Sequence, residues 1–190
     1  MVRSFTGEPL PPGALDAVLA AARRAPSAGY TQATEVVVLE HTETDAYWAA
    51  SFPDTAARAR FRWQGLFQAP ALVVVVTRPA AYVERYAAAD KAGTGLGAAA
   101  DSWSVPYWWV DAGMAVMAAL LAATAGSIGA IFFGLFERER AVLDALGVPH
   151  GYRAVGTIAL GVPAPADEPG RSAVTRPRRP AADTVHRGRW

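Results

Sequence analysis

The densest chemistry in this sequence is cationic. In "RPRRP", Arg176, Arg178 and Arg179 stand between prolines, which hold the backbone extended. Guanidinium groups on a stiff segment suit a phosphate, because they present planar, charge-assisted donors. A solvated basic tail has the same composition, and on the pattern alone it is the simpler reading. One short cluster without interleaved aromatics is weak ground for a nucleic-acid contact. The formal net charge of +1 adds none, so no nucleic-acid partner is expected.

Nucleophiles and metal ligands are sparse. There is no cysteine, and the three histidines, His41, His150 and His186, are scattered. Thiol catalysis and thiolate metal sites are therefore excluded, and no metal is expected. Ser27, Ser51 and Ser102 lack a nucleophile-elbow setting. Glu137 and Glu139 fall in the first turn of an expected helix, where acids favour the dipole, and read as surface charges rather than an acid/base pair. In "KAGTGLGAAAD", Gly93, Gly95 and Ala98 have the spacing of a dinucleotide fingerprint. That fingerprint needs a strand before it; "YAAADKA" is not one, and the stretch reads as a flexible loop. No residue is assigned a catalytic role.

The elements that would position any site are clearer. The chain has 190 residues, 52% of them apolar and 18% charged, which suits one well-cored domain. "GALDAVLAAARRAP" spaces Leu15, Val18, Leu19 and Ala22 as a helix stopped by Pro26. "EVVVLE" and "PALVVVVTRP" are buried strands. A helix then fades into a Gly-rich, aromatic-rich loop ending at "YWW", the kind of long loop that covers a site.

From Ala112 to Phe136 there is no charge, a length that could cross a bilayer. Its Ala and Gly content and the break at "AGSIG" argue instead for a buried helix capped by Asp111 and followed by a third strand. No membrane association is expected. "ERERAVLDALG" makes an amphipathic helix with Gly147 at its C′ position, and "YRAVGTIALGVP" is the fourth strand. No apolar h-region opens the chain, so the cytoplasm is the expected location. These elements predict a three-layer α+β arrangement around a central sheet of about four strands.

Four stretches, in order, resemble the nitroreductase-like family of FMN-dependent NAD(P)H oxidoreductases. They are "VRSFTGEPLPPGALDAVLAAARRAPSAG" with a following Gln and strand, the Ala-rich helix into "GSIGAIFFG", "LGVPHGYRAVGTIALGVPA", and the closing "RRPAADTVHRGRW". The resemblance implies a single domain over residues 1–190 that forms an intertwined homodimer. Residues 164–190 would be an exchanged C-terminal arm wrapping the partner, with FMN at each end of the interface.

It also implies roles. Arg178 and Arg179 match basic positions near the FMN phosphate, and Arg3 the residue at the flavin's polar edge. Pro26, Ser27, Ala28 and Gly29 match the loop packed on the flavin from the other subunit, with Gln32 nearby. Phe133 and Gly134 match the segment beside its reactive nitrogen N5. Tyr30, Trp103, Tyr107, Trp108 and Trp109 are candidates for a substrate wall, core packing being the alternative for the tryptophans. The activity implied is hydride transfer from NAD(P)H through flavin N5 to an electron-poor small molecule such as a nitroaromatic, quinone or enone.

The sequence departs from the family in two places. Tyr30 follows "PSAG" where Asn is common, and Ala33 and Thr34 replace a Pro-Trp pair. The family also has a basic pair and a small residue ahead of the stretch equivalent to "VRSF", where Met1 takes the small-residue position. Either the natural start lies upstream, or phosphate binding rests on Arg178 and Arg179. The alternatives are a divergent flavin- or ligand-binding relative without reductase activity, and a basic-tailed adaptor that uses the dimer as a scaffold.

Overall fold

Val73, Val74, Val75 and Val76 are all buried, yet they face two different cores. They belong to β2 (Ala71–Thr77), which lies inside a four-stranded sheet. Side chains alternate across a strand, so Leu72, Val74 and Val76 enter one apolar cluster and Ala71, Val73 and Val75 the other. That is why the strand reads as an unbroken apolar run. A computed structural model describes residues 1–165, 167 and 170–190.

β1 (Thr34–Glu40), β2, β4 (Arg153–Gly161) and β3 (Gly129–Phe133) form the sheet in the order β1-β2-β4-β3. Each neighbouring pair is antiparallel, with a register shift at Val75/Val76. One face is covered by α1 (Ala14–Arg23) and α5 (Tyr107–Ala125), around Val18, Val116 and Ile158. The other is covered by α2 (Thr44–Ser51) and α6 (Glu139–Ala145), around Tyr47, Trp48, Leu72 and Leu143. Each fully buried Val, Leu or Ile contributes about 1.5–3 kcal/mol by leaving water. The arrangement is α+β and three-layered.

The Ala-rich segment is the core helix α5. Ala112, Ala115, Ala119 and Ala123 recur at helical spacing and are buried, and small side chains let α1 and the sheet approach closely. Its far side leaves Val110, Met117 and Leu121 exposed.

The helix starts at Tyr107, with Pro106 as its N-cap residue. Asp111 is therefore no cap: it lies inside the helix and is 2% exposed. The first polar residue before an apolar run reads as a cap locally, but its hydrogen-bond partners lie elsewhere in the fold. α4 (Pro79–Ala87) follows β2, and α3 (Thr55–Arg60) follows α2. α6 ends at Gly147, whose φ is 68°.

The opening "MVRSF" is tightly docked. Val2 N–H donates to Ala130 O (3.0 Å), Phe5 N–H to Gly65 O (3.1 Å) and Thr6 N–H to Val162 O (3.0 Å). Ser4 packs so closely on Gly65 that no β-carbon would fit there. Phe5 is 3% exposed in the core. Beyond Pro163, a short α7 (Arg171–Thr175) precedes a largely exposed tail. Positions 166, 168 and 169 of the expected arm lie outside the described residues.

Candidate functional site

Two hollows take in some of the residues singled out in the sequence: Arg3, Phe133 and Gly134 line one, and Ala28, Trp103 and Tyr107 the other. The larger, of about 610 Å³, lies on the α2/α6 side of the sheet and is lined by Arg3, Phe52, Phe61, Trp63, Phe133 and Gly134 among others. Its aromatic walls arise locally. "RFRWQGLF" leaves α3 for a 3₁₀ turn, Gln64–Gln68, and Phe61 and Phe67 pack on Phe52 at 5.0 and 5.3 Å between centroids. Trp48 lies parallel to Phe133 at 6.1 Å. Phe61, Trp63 and Trp48 are not among the residues expected from the sequence; the alternation of arginines and aromatics in "RFRW" is a local signal for Phe61 and Trp63, and Trp48 has none.

Arg3 is held at this cavity by its backbone as well as its side chain. Its N–H donates to Asp167 Oδ1 at 2.7 Å, and its guanidinium lies 5.3 Å from the Trp63 ring centre and donates to Met1 O at 3.2 Å. Nearby, the hydroxyls of Tyr47 and Thr157 share a 2.8 Å hydrogen bond. Burial pushes the Tyr47 hydroxyl up to about 12, against the bond with Thr157. Trp48 also lines the cavity, and its Nε1–H is buried without a hydrogen-bond partner among the described residues.

The smaller hollow, of about 290 Å³, is lined by Ala28, Tyr86, Leu96, Trp103 and Tyr107 among others. Of the remaining candidates, Ala28, Trp103 and Tyr107 line it, and the rest of the Pro26–Gln32 segment lies beside them. Ser27 Oγ accepts from Gln32 N–H (3.0 Å), Thr31 Oγ1 donates to Ala28 O (2.6 Å), and Arg85 Nε donates to Gly29 O (2.8 Å). Arg85 is itself paired with Asp90 at 2.6 Å, which holds the Asp90 carboxyl down to about 2. Tyr30 and Gln32 take left-handed φ of 56° and 54°, and Tyr30 is 77% exposed. Pro26 and Gln32 are exposed as well.

Behind this loop, Asp111 Oδ2 accepts from Ala28 N–H at 2.7 Å and from Tyr82 OH at 2.8 Å. Burial, with the Asp111 carboxylate beside it, pushes the Tyr82 hydroxyl far above its ordinary value. Asp111 Oδ1 is buried without a partner among the described residues, an arrangement that costs about 1–3 kcal/mol.

Trp103 and Trp108 are buried against Tyr82. Tyr107 is exposed, and Trp109 meets the Arg153 guanidinium at 5.5 Å. Arg3, Phe133 and Gly134 thus come together, as do Ala28, Trp103 and Tyr107, but the two groups line different hollows. Arg178 and Arg179 line neither and are exposed, Arg179 donating to Asp183 O at 2.7 Å. Glu139 is not a free surface acid. It pairs with Arg153 at 2.8 Å and accepts from Ala154 N–H, and the Arg153 guanidinium holds its carboxyl below the usual range.

The sequence profile of the nitroreductase family matches residues 1–162. No curated protein matches the chain at a significant level. Among solved structures, NfrA2 of B. megaterium is similar with a TM-score of 0.70 at 21% identity, over 100% of this chain and 70% of that one. A nitroreductase-like family protein from Bacillus cereus gives 0.68 at 16%, over 97% and 89%. A protein assigned as a nitroreductase from Desulfovibrio desulfuricans, in complex with FMN, gives 0.67 at 21%, over 100% and 91%. With the profile spanning most of the sequence and the fold shared, the chain belongs to the nitroreductase family and is an oxidoreductase.

Proposed function

We propose that this oxidoreductase is FMN-dependent, takes a hydride from NAD(P)H, and passes it to an electron-poor small molecule such as a nitroaromatic, quinone or enone. The observation that supports this most is the larger cavity: its aromatic walls suit a flat heteroaromatic ring, and Arg3 brings a cation to its rim. Its volume lies within the range of small-molecule sites. The residues present therefore fit FMN, and the similar Desulfovibrio desulfuricans protein was solved with it.

When bound, FMN would supply the hydride transfer itself. The chain's own residues would bind, orient and shield. Arg3 would stabilise negative charge at the polar edge of the ring, Phe61, Trp63 and Phe133 would exclude water, and Arg178 and Arg179 would neutralise the phosphate. No side chain is required to act as an acid or base.

The separation of the two residue groups within one chain is the arrangement expected if each site is built from two. We infer a homodimer in which the Pro26–Gly29 loop of one subunit completes the cavity of the other and the arm from residue 164 wraps the partner. Exposed Val110, Met117 and Leu121 on α5, and Val174, Val185 and Trp190 on the tail, are the apolar surface such a dimer would cover.

The test is an absorbance spectrum of the purified protein, before and after adding FMN, followed by anaerobic addition of NADH or NADPH. Flavin uptake and bleaching support the reading. Failure to take up flavin overturns it, and uptake without bleaching by either nucleotide identifies a flavin-binding relative that is not a reductase.

A further inference from the structure

Asp111 is the one acid within α5, set among alanines and committed to groups on other segments. We propose that Asp111 is a positioning residue that ties the Pro26–Gly29 loop and the aromatic loop ahead of α5 into one arrangement, so that cofactor affinity depends on a carboxylate lining neither hollow. The proposal rests on the FMN reading above.

The geometry is a short relay. Ala28 N–H and Tyr82 OH converge on Asp111 Oδ2 at 2.7 and 2.8 Å. The Tyr82 ring is fully buried, standing edge-on to Trp103 at 5.8 Å and against Trp108 at 6.0 Å. Trp103 Nε1–H donates to Leu96 O at 3.0 Å, which fastens the Gly-rich loop to the same cluster. Arg85, one turn after Tyr82 on α4, holds Gly29 O. The loop is thereby clamped between α4 and α5, and Asp111 is its tie to α5.

The residue type follows from the position. Backbone carbonyls inside a helix already accept helical bonds along its axis, so a side-chain acceptor reaching out from α5 is the group that meets the Ala28 amide. Oδ2 takes both donors while Oδ1 has no partner among the described residues. A buried acceptor held at such a cost serves geometry rather than stability.

Three variants test the proposal: Asp111→Asn, Asp111→Leu and Tyr82→Phe. The readouts are the FMN dissociation constant from flavin fluorescence and the near-UV circular dichroism of the FMN-free protein, with far-UV dichroism and size-exclusion elution as controls. Asn keeps an acceptor oxygen and is expected to bind FMN within about threefold of the parent. Leu leaves the amide and hydroxyl unpaired and is expected to weaken binding about tenfold or more. Tyr82→Phe removes one hydroxyl, survives even where Leu does not fold, and is expected to weaken binding about fivefold, beyond the range allowed for Asn, and to alter the near-UV signal of Trp103 and Trp108.

Parent-like FMN affinity in folded Asp111→Leu or in Tyr82→Phe overturns the proposal. Absence of FMN binding by the parent protein overturns the cofactor reading instead. In that case an unchanged near-UV spectrum in Tyr82→Phe still overturns the tie.

Discussion

Gly29 lies against the edge of the Tyr86 ring: a β-carbon built on it would stand 2.7 Å from Tyr86 Cε2, at a φ of 59°. Both facts bear on one substitution. Gly29→Ala is expected to place an L residue in the left-handed region, at roughly 1–2 kcal/mol, and to push the Tyr86 ring aside. The melting temperature should fall by about 2–8 °C, read by thermal denaturation, with a larger drop for Gly29→Val.

Arg3 separates side-chain function from backbone docking. Its N–H bond to Asp167 and the neighbouring strand-like bonds of Val2 and Phe5 do not involve the guanidinium. Arg3→Ala should therefore keep its melting temperature within a few degrees while FMN affinity falls about tenfold to a hundredfold. Fluorescence titration and a melting curve on the same sample check both halves.

Arg178 and Arg179 are exposed in the single chain, so their removal should leave subunit folding unchanged. If they meet the FMN phosphate across the dimer, Arg178→Ala combined with Arg179→Ala should weaken FMN binding by about two decades. The parent's affinity should fall steeply with added salt and the variant's much less. Titrations at two ionic strengths decide it.

Tyr47 links stability to alkaline pH. Burial raises its hydroxyl to about 12 in the folded state, against about 10 when unfolded. A raised value means the stabilisation is complete below about pH 10 and is lost as pH climbs from there towards 12. Over that window the loss is on the order of 2–3 kcal/mol. Tyr82 shifts in the same direction. Tyr47→Phe should lose the Thr157 bond, about 1 kcal/mol at neutral pH, and show a shallower decline above pH 10 in chemical denaturation.

The elements were legible wherever a local pattern was dictated by burial. β2 announced itself because both its faces are covered, and α6 because Gly147 closes it. Strand order was not legible: β4 inserts between β2 and β3, a pairing between distant segments that leaves no local mark. The candidate site divided in the same way. Arg3, Phe133 and Gly134 were named from a family resemblance, whereas Trp63 and Phe61 joined them only through the path of the chain after α3.

Asp111 shows the boundary most clearly. By itself the sequence determined a long apolar helix with a lone acid near its beginning, since composition and helical spacing are local properties. Only the tertiary structure decided that the acid lies inside the helix and faces Ala28 and Tyr82. Those partners are 83 and 29 positions away in the chain. A side chain's hydrogen bonds depend on which segments the packed sheet and helices bring within 3 Å, and no pattern of neighbours encodes that.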